Sequence, residues 1–371
     1  MKKINFKLTV QLLGYSVILL LITNACVQNT KDDEVALIEK VVKWQIENIN
    51  QTDTFPDTHW TRAALYRGMA EWAEFTQSQP LYEYLYAMGK SNQWDMRPRI
   101  YDADDICICQ TYFKLFNKYE NPEMIEKCIA RLDSVMARPM TMSLAEAPPG
   151  KYNRDRWGWC DALYMAPPVY ALVTLHKNDH SYLNYAVSEF KVTTDSLYNK
   201  NDQLFYRDLR WVGRMEESGK KLYWGRGNGW VHAGLAFMLQ HTPANDPAYQ
   251  YFLELYTQMS EAIVACQDEN GSWHTSLMDA ESYPEPENSA SGFFVYGLAW
   301  GVNNGILKDA KYREAAEKGW EALKKYVQPS GKLGYVQPVG HAPFKNLTAE
   351  HTHVYGVGAF LLAATEMCKM N

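Results

Sequence analysis

The chain has 371 residues and a mass of 42.7 kDa, and 47% of its residues are hydrophobic, which is enough for a large core and excludes intrinsic disorder. Its formal net charge of −6 and isoelectric point near 5.9 provide no basic surface for a nucleic acid. It is also rich in aromatic residues, with 12 Trp and 25 Tyr, which either fill a core or line a cleft that binds sugar rings.

The first residues have the composition of an export signal. A basic start with Lys2 and Lys3 precedes an apolar run over 17–22, and Cys26 stands where a cleavage site after small residues is expected. The apolar run is too short to predict a membrane-spanning helix. The pattern resembles a bacterial lipoprotein signal, although Thr23 replaces the Leu that is usual three residues before the Cys.

We therefore predict that residues 1–26 form a lipoprotein signal peptide whose Cys26 is lipidated and becomes the mature N-terminus. An ordinary secretory signal and an uncleaved anchor are the alternatives. The polar residues 27–34 form a tether, and residues 35–371 form the folded domain. The protein would then contact a membrane only through its lipid anchor, in the periplasm or at the outer membrane of a bacterium.

Apolar residues recur at helical spacing along nearly all of this domain. Over 251–266 and again over 314–327, for example, residues three or four apart share an apolar face. Alternating runs of Val, Ile and Thr, which are typical of strands, are nearly absent. The pattern predicts an all-α fold with helices over 35–50, 58–77, 80–90, 104–118, 122–137, 158–176, 181–197, 227–241, 246–267, 288–305, 310–327 and 351–369.

The predicted helices follow one another as six pairs, and no linker divides them. This arrangement favours a single-domain toroid, with six inner helices surrounded by six outer ones, over a two-layer solenoid, because no repeat of fixed period is visible. Four long connections, over 138–157, 198–226, 268–287 and 328–350, each follow the first helix of a pair. Because loops of this length are usually functional, we expect a cleft on the face where they emerge.

Besides Cys26 the chain contains six cysteines, too few for a disulfide-rich scaffold in a domain of this length. Cys107 and Cys109 form a close pair, but no second Cys or His pair stands at the spacing of a zinc site. Both lie in an apolar helical stretch. The pattern therefore favours buried thiols and predicts no metal site.

Three acidic residues precede an apolar run at the start of the helix predicted over 104–118. They are Asp102, Asp104 and Asp105, and they lie on the loop-rich face. Asp is favoured at a helix N-terminus by free backbone N–H groups and by the helix dipole, so capping is one interpretation for Asp102 or Asp104. Contact with a substrate is the other.

Asp161 has a different sequence context. Trp157 and Trp159 come just before it, and they would exclude water and raise the pKa of its carboxyl group. A carboxylic acid that must stay protonated near neutral pH needs such surroundings. Two carboxyl groups on one rim, together with aromatic side chains for sugar faces, favour glycoside chemistry.

The segment 223–230 is rich in Gly and Trp. Its glycines let the backbone approach a ligand, Arg226 offers a planar group for a carboxylate, and the rings of Trp224 and Trp230 offer stacking surfaces. A phosphate loop is disfavoured because no Gly-Lys-Ser/Thr sequence follows and no strand precedes. The pattern favours an anionic sugar as ligand, and a turn held by structural Trp residues is the alternative.

Further positions are weaker candidates. Residues 287–291 either cap a helix or face the same cleft. His351 and His353 have no obvious third metal ligand, so a hydrogen-bonding role in the cleft is expected. His232 is either packed within its helix bundle or supports the site.

A longer motif carries a family resemblance. The segment 157–168, Trp-Gly-Trp-Cys-Asp-Ala-Leu-Tyr-Met-Ala-Pro-Pro, resembles the unsaturated rhamnogalacturonyl hydrolases of glycoside hydrolase family 105, which are related to the unsaturated glucuronyl hydrolases. Supporting motifs occur in order over 103–105, 224–230, 287–294 and 356–362. The family fold is an (α/α)6 barrel, in agreement with the six predicted helix pairs.

The resemblance implies an enzyme that removes a 4,5-unsaturated uronic acid, which a polysaccharide lyase leaves at a non-reducing end. In this family a carboxylic acid protonates C4 of the enol ether, water adds at C5, and the resulting hemiketal opens and releases the aglycone. Asp161 matches the general acid and base. Asp105 matches a second aspartate that holds substrate hydroxyls and helps set the protonation state of the first. No metal ion or organic cofactor is implied.

The predicted substrate-binding residues lie in several segments. Trp224 and Arg226 match family positions that hold the unsaturated sugar. The whole predicted set is Trp60, Arg62, Trp159, Met165, Arg207, Trp224, Arg226 and His351.

Two segments depart from the family pattern. Arg207 follows Tyr206 where a His is common, and Arg62 and Ala63 stand where Asn and Gly are common. Two extra arginines near the cleft would favour a more anionic substrate than the rhamnogalacturonan disaccharide of pectin, such as a glucuronate-bearing glycan. The alternatives to this enzyme are a hydrolase of ordinary saturated glycosides on the same barrel and a non-catalytic glycan-binding lipoprotein.

Overall fold

A computed structural model describes residues 32–147 and 151–370. The predicted signal peptide, its Cys26 and most of the tether lie outside the described residues. Helices dominate the described part, because apolar positions recur there at helical spacing. A short pair of strands, β1 (Tyr198–Asn199) and β2 (Leu204–Phe205), is antiparallel.

The prediction of an all-α fold is confirmed, and each predicted helical segment is present with its ends shifted by a few residues. The described part of the chain contains fourteen helices. They are α1 (32–52), α2 (Trp60–Thr76), α3 (Gln79–Ser91), α4 (Ala103–Ile106), α5 (Cys109–Tyr119), α6 (Glu123–Ala137), α7 (Ala162–Met165), α8 (Pro167–Lys177), α9 (His180–Leu197), α10 (Gly225–His241), α11 (Pro247–Ala265), α12 (Asn288–Asn303), α13 (Ala310–Lys325) and α14 (Val354–Met370).

Two predicted helices are each interrupted near their N-termini. The predicted helix over 158–176 is divided into α7 and α8, because Pro167 has no backbone N–H and is accommodated best at the first position of a new helix. The predicted helix over 104–118 is divided into α4 and α5. There the N–H of Cys107 donates to the carbonyl O of Asp104, three residues back, at 3.4 Å, which is the tighter turn of a 3₁₀ geometry.

The helices form two concentric rings. The inner ring consists of α2, α5, α8, α10, α12 and α14, and each of these contacts the next, while α14 contacts α2 and closes the ring. The outer helices α3, α6, α9, α11 and α13 each pack against the inner helix that precedes them. Helix α1 joins the outer ring, where Glu39 Oε1 accepts a hydrogen bond from Trp72 Nε1 of α2 at 2.6 Å. Closure of the ring confirms the toroid and excludes the open solenoid.

The two faces of the toroid differ in their connections. Short turns lead from α2, α5, α8, α10 and α12 to the outer helix that follows each of them. The long connections instead lead from outer helices to inner ones, so they emerge together on the opposite face. The inner helices begin on this loop-rich face, where Asp102 and Glu287 cap α4 and α12.

The inner helices are buried on nearly all sides, as α12 and α14 show. Small residues let these helices approach one another closely. A Cβ atom at Gly358 of α14 would lie 2.3 Å from the carbonyl O of Ala64 in α2. Within the described residues, no helix has both the length and the apolar character needed to cross a bilayer.

Replacing Gly358 with Ala is expected to lower the free energy of unfolding by roughly 1–3 kcal/mol, because the added methyl group would force α14 away from the α2 backbone. Chemical denaturation measures this change. The matched control is Gly340→Ala, because a Cβ at Gly340 meets nothing closer than 3.6 Å. Equal stability of the two variants would contradict the close approach of these helices.

Candidate active site

A pocket of about 310 Å³ opens on the loop-rich face. Its walls come from α2, α4 and α7 and from the connections that precede α7, α10 and α14. It therefore lies where the sequence predicts a cleft, and it combines carboxyl groups, guanidinium groups and aromatic rings. The lining residues are Trp60, Asp104, Tyr152, Arg154, Trp159, Asp161, Met165, Arg207, Val339, Gly340 and His341.

Asp161 lies directly before α7 and is only 8% exposed. The chain before it is fixed by the backbone, because the N–H of Cys160 donates to the carbonyl O of Arg207 at 2.8 Å. Burial raises the pKa of the Asp161 carboxyl group above its usual range, while the positive charges of Arg207 and Arg226 oppose the rise. The direction is the one expected from the sequence, and it favours a carboxyl group that keeps its proton at higher pH.

Asp104 is the second carboxyl group of the pocket. Burial and the nearby charge of Asp102 raise the pKa of Asp104 to about 7, although Arg154 opposes the rise. The Nη2 atom of Arg154 lies 2.6 Å from Asp104 Oδ2 and 3.0 Å from Asp102 Oδ1. Asp102 also accepts a hydrogen bond from the N–H of Asp104 at 3.0 Å, so it is the cap of α4. Paired carboxyl groups with raised pKa values are typical of acid–base sites.

Asp105 does not line the pocket. Its carboxylate is fully buried and accepts a hydrogen bond from the backbone N–H of Arg99 at 2.9 Å, and the Arg99 side chain forms an ion pair with it at 2.5 Å. Successive residues of a helix point about 100° apart, so Asp104 and Asp105 face different surroundings. Asp104 therefore shares the pocket with Asp161, and the role that the family motif implies for Asp105 stays a prediction.

Arg207 brings a guanidinium group into the pocket. Its Nη1 donates to Asp208 Oδ2 at 2.6 Å, and the group lies 4.1 Å from the centre of the Tyr152 ring. Its Nε is buried, has no hydrogen-bond partner among the described residues, and lies 3.8 Å from Asp161 Oδ2. Because an unpaired buried N–H is costly, this donor is suited to an anionic or polar ligand.

Five pocket residues are not singled out by the sequence pattern. Tyr152 and Arg154 lie in the connection over 138–157, and Val339, Gly340 and His341 lie in the connection over 328–350. The length of these connections is the only signal of function that the sequence offers for them. Their meeting in one pocket depends on the closed ring, which brings distant connections together.

Trp224 and Arg226 lie behind the pocket wall. The Arg226 guanidinium group is fully buried, 4.7 Å from the Trp224 ring and 4.8 Å from the Tyr355 ring. It donates hydrogen bonds to the carbonyl O atoms of Gln337 at 2.7 Å and Pro338 at 3.1 Å. Arg226 thus fixes the chain that forms one wall, and the expectation that these two residues hold the sugar stays a prediction.

Replacing Arg226 with Lys is expected to lower the free energy of unfolding by about 3 kcal/mol, because an ammonium group cannot bond to the same spread of carbonyl O atoms. The ratio kcat/KM should fall as well, since Gly340 and His341 line the pocket. Thermal unfolding and steady-state kinetics measure the two effects. Arg214→Lys, at an exposed position, is the control. Unchanged stability with a raised KM would instead support direct substrate binding by Arg226.

Arg62 and His351 also lie outside the pocket lining. Arg62 pairs with Asp57 at 2.6 Å and donates to the carbonyl O of Asp53 at 2.7 Å, so it anchors the connection between α1 and α2. His351 accepts a hydrogen bond from the N–H of Thr348 at 3.0 Å. Their expected contact with substrate stays a prediction, as it does for Arg226. The predicted binding residues that do line the pocket are Trp60, Trp159, Met165 and Arg207.

The weaker candidates have structural partners. Glu287 caps α12 by accepting a hydrogen bond from the N–H of Ala290 at 2.8 Å, and it also accepts one from the N–H of Gln337 at 2.9 Å. His232 is fully buried, and its Nε2 lies 2.9 Å from Ser260 Oγ. Glu287 is thus a cap that also holds the pocket wall, and His232 is packed.

The expectation of buried thiols is confirmed for Cys107 and Cys109, and Cys128 and Cys160 are buried as well. Cys266 and Cys368 are partly exposed. Among the described residues, no group of three or more His, Cys, Asp or Glu side chains is arranged to hold a metal ion.

A closed ring of six helix pairs with two carboxyl groups in one pocket defines a six-hairpin glycosidase. The sequence profile of Glycosyl Hydrolase Family 88 matches residues 37–371. The chain therefore belongs to Glycosyl Hydrolase Family 88, and the predicted relationship to unsaturated uronyl hydrolases is confirmed.

Three proteins are similar to this chain over most of its length. An unsaturated 3S-rhamnoglycuronyl hydrolase from Alteromonas sp. (strain LOR) is 35% identical over 352 residues, which cover 90% of this chain and 85% of that one. The solved structure of a glycosyl hydrolase family 88 protein from Bacteroides vulgatus is 29% identical, with a TM-score of 0.81, and the match covers 92% of this chain and 99% of that one. A solved structure named polysaccharide lyase BACCELL_00875 is 31% identical, with a TM-score of 0.82, over 91% of this chain and 97% of that one.

Proposed function

We propose that this glycosidase removes a 4,5-unsaturated uronic acid from the non-reducing end of lyase-generated oligosaccharides by adding water across the C4=C5 enol ether. The observation that carries the proposal is the pair of carboxyl groups in one pocket, Asp161 and Asp104, with the pKa of both raised by burial. The name of the Alteromonas relative, an unsaturated 3S-rhamnoglycuronyl hydrolase, supports the same chemistry.

In this mechanism Asp161 is the general acid and then the general base. Its carboxyl proton goes to C4, and the electron pair of the C4=C5 bond forms the new C–H bond, which leaves positive charge on C5 and the ring oxygen. A water molecule adds to C5 and returns a proton to the Asp161 carboxylate. The resulting hemiketal opens to a ketone at C5, and the aglycone leaves from C1, so one water is consumed and no redox partner is needed.

We assign to Asp104 the role that the family motif gives to the neighbouring aspartate, namely to hold substrate hydroxyls and to help keep the proton on Asp161. A negative charge on Asp104 would oppose ionisation of Asp161 in the same pocket. Arg154, 2.6 Å from Asp104, favours the ionised form of Asp104 and so helps to provide this negative charge. We therefore expect activity to fall at alkaline pH as Asp161 loses its proton, and burial of Asp161 should move this fall to higher pH than for an exposed aspartate.

The substrate is anionic, and Arg207 is suited to bind a carboxylate or sulfate group. Its buried Nε has no hydrogen-bond partner within the described residues, and it lies 3.8 Å from Asp161 Oδ2, so it is next to the proposed proton donor. Arg154 adds a second guanidinium group to the lining. Two arginines support a uronide with a further anionic group on its aglycone, such as the 3S-rhamnoglycuronyl unit named for the Alteromonas relative, over a neutral rhamnose of pectin.

The test is the ultraviolet absorbance of the conjugated enol ether, followed over time with separate lyase-generated oligosaccharides. The panel contains a 3S-rhamnoglycuronyl disaccharide, an unsaturated glucuronyl oligosaccharide and an unsaturated rhamnogalacturonan disaccharide. Absorbance should decay with at least one of them and remain constant with the Asp161→Asn variant. Constant absorbance with all three, combined with cleavage of saturated glycosides or with binding alone, would overturn the proposal.

A polysaccharide lyase is the second candidate, because one solved relative carries that name. The two activities change the ultraviolet absorbance in opposite directions in the same assay. A lyase creates the enol ether by removing the proton from C5 and expelling the sugar chain linked through O4, so absorbance would rise when an intact polysaccharide is supplied. A hydrolase of unsaturated ends makes absorbance fall and leaves the intact polysaccharide unchanged.

We also propose export as a lipoprotein through Cys26, on the basis of the sequence of residues 1–26. The test is metabolic labelling with a radioactive fatty acid in a Gram-negative host. The wild-type chain should incorporate the label and fractionate with membranes. Cys26→Ala should do neither, and equal labelling of both would exclude this modification site.

A further inference from the structure

Cys160 touches the carboxyl group to which the proposed function assigns the proton transfer. Its side chain is fully buried, and its Sγ donates to Asp161 Oδ2 at 3.4 Å. Burial and the charge of Asp161 raise the pKa of the Cys160 thiol well above its ordinary value, so sulfur keeps its proton and acts as the donor. The contact therefore joins a weak donor to a carboxyl group of the pocket.

The thiol has little freedom to move. The N–H of Cys160 donates to the carbonyl O of Arg207 at 2.8 Å, which fixes its backbone. On the other side lies the first turn of α10, where a Cβ at Gly227 would be 3.0 Å from the Cys160 Sγ and 2.7 Å from the Trp224 ring. Because α10 approaches so closely, the sulfur is held against Asp161, and a larger side chain would not fit.

We propose that Cys160 is a positioning residue, whose thiol orients the Asp161 carboxyl group with a hydrogen bond too weak to pull the proton from it. This inference rests on the proposed role of Asp161 as proton donor. A hydroxyl group in the same place would donate a stronger hydrogen bond and favour the carboxylate. An apolar group would provide no donor, so the carboxylate would lose one of its stabilising contacts. The thiol donates a weaker hydrogen bond than a hydroxyl group, whereas an apolar group donates none.

Other charges act on Asp161 and stay in place in every variant. Arg207 from the connection before α10 and Arg226 from α10 favour its ionised form. Asp104 from α4 and His341 from the connection before α14 face it across the pocket and interact with its charge. Because these groups are common to the wild type and the variants, a difference between pH profiles reports the change at residue 160. The remaining charge near the thiol, Asp208, is also unchanged, and it is paired with Arg207 and Arg210.

The test compares the pH dependence of kcat/KM for Cys160→Ser and Cys160→Ala with that of the wild type, using the unsaturated substrate. The alkaline limb of this pH profile reports the apparent pKa of the group that must stay protonated for turnover. In Cys160→Ser it should move by about one pH unit to lower pH, since a charge-assisted hydroxyl hydrogen bond is worth about that much. In Cys160→Ala it should move to higher pH. Shifts in opposite directions are not expected from a residue that only fills space.

The matched control is Cys128→Ser, a fully buried thiol of α6 outside the pocket lining, whose profile should coincide with that of the wild type. Thermal unfolding identifies any variant that fails to fold, and either Cys160 variant alone still gives a direction of shift. Profiles of both Cys160 variants that coincide with the wild type after scaling would overturn this inference alone. A wild type that leaves the unsaturated substrate unchanged would instead overturn the proposed function.

Discussion

Replacing Asp161 with Asn is expected to lower kcat by about 10³-fold while substrate binding survives. The amide has nearly the same shape as the carboxyl group, but it neither gives up an acidic proton to C4 nor accepts one from water. Substrate affinity should remain within about tenfold, because the arginines and aromatic rings of the lining are unchanged. Single-turnover kinetics and calorimetric titration with the unsaturated substrate measure turnover and binding separately.

The control for this variant is Asp202→Asn, whose carboxylate pairs with Lys221 at 2.6 Å and does not line the pocket. It should retain full turnover. Near-normal turnover of the Asp161→Asn variant would show that the proton comes from another group. Loss of binding together with turnover would indicate that Asp161 holds the substrate and does not transfer the proton.

Replacement with Asn should affect different properties at the neighbouring residues Asp104 and Asp105, turnover at the first and stability at the second. Asp104→Asn is expected to lower kcat by about 10²-fold, because the pocket loses a carboxyl group and Arg154 loses a charged partner. Asp105→Asn is expected to keep most of the turnover. Its main effect is on stability, because it weakens the pairing with Arg99.

We expect Asp105→Asn to lower the free energy of unfolding by about 1–3 kcal/mol, less than for a fully buried ion pair, because the Arg99 side chain is 45% exposed. Steady-state kinetics and chemical denaturation of both variants separate the two effects. A collapse of turnover in Asp105→Asn with normal stability, together with an active Asp104→Asn, would restore the assignment taken from the family motif.

Much of the fold can be predicted from the sequence because helix formation here depends on local patterns. The apolar spacing over 251–266 places one helix face against the ring, and the observed α11 follows it closely. The breaks within two predicted helices were harder to predict. Pro167 is visible as a break signal in the sequence, whereas the tight turn at Cys107 has no comparable signal.

Asp161 can also be identified from its neighbours in the chain. Trp157 and Trp159 are four and two residues away, and burial of the segment raises the pKa of the carboxyl group as expected. Arg226 is different, because its environment comes from Gln337 and Pro338, more than one hundred residues later. The residues next to Arg226 in the chain do not distinguish the two roles. The local sequence is the same whether the guanidinium group is buried against carbonyl O atoms or is free to bind a sugar.

The helix pairs, the face with the long connections, the family and the candidacy of Asp161 can all be read from the amino-acid sequence, since each of them depends on residues close together in the chain or on a continuous motif. The fold was needed to show that Asp104 lines the pocket, that Asp105 does not, and that Arg226 lies behind the pocket wall. These outcomes depend on where Arg99, Arg154 and the chain near Gln337 lie around the closed ring. The pairing of a buried charge is decided by partners distant in sequence, and local spacing carries no information about them.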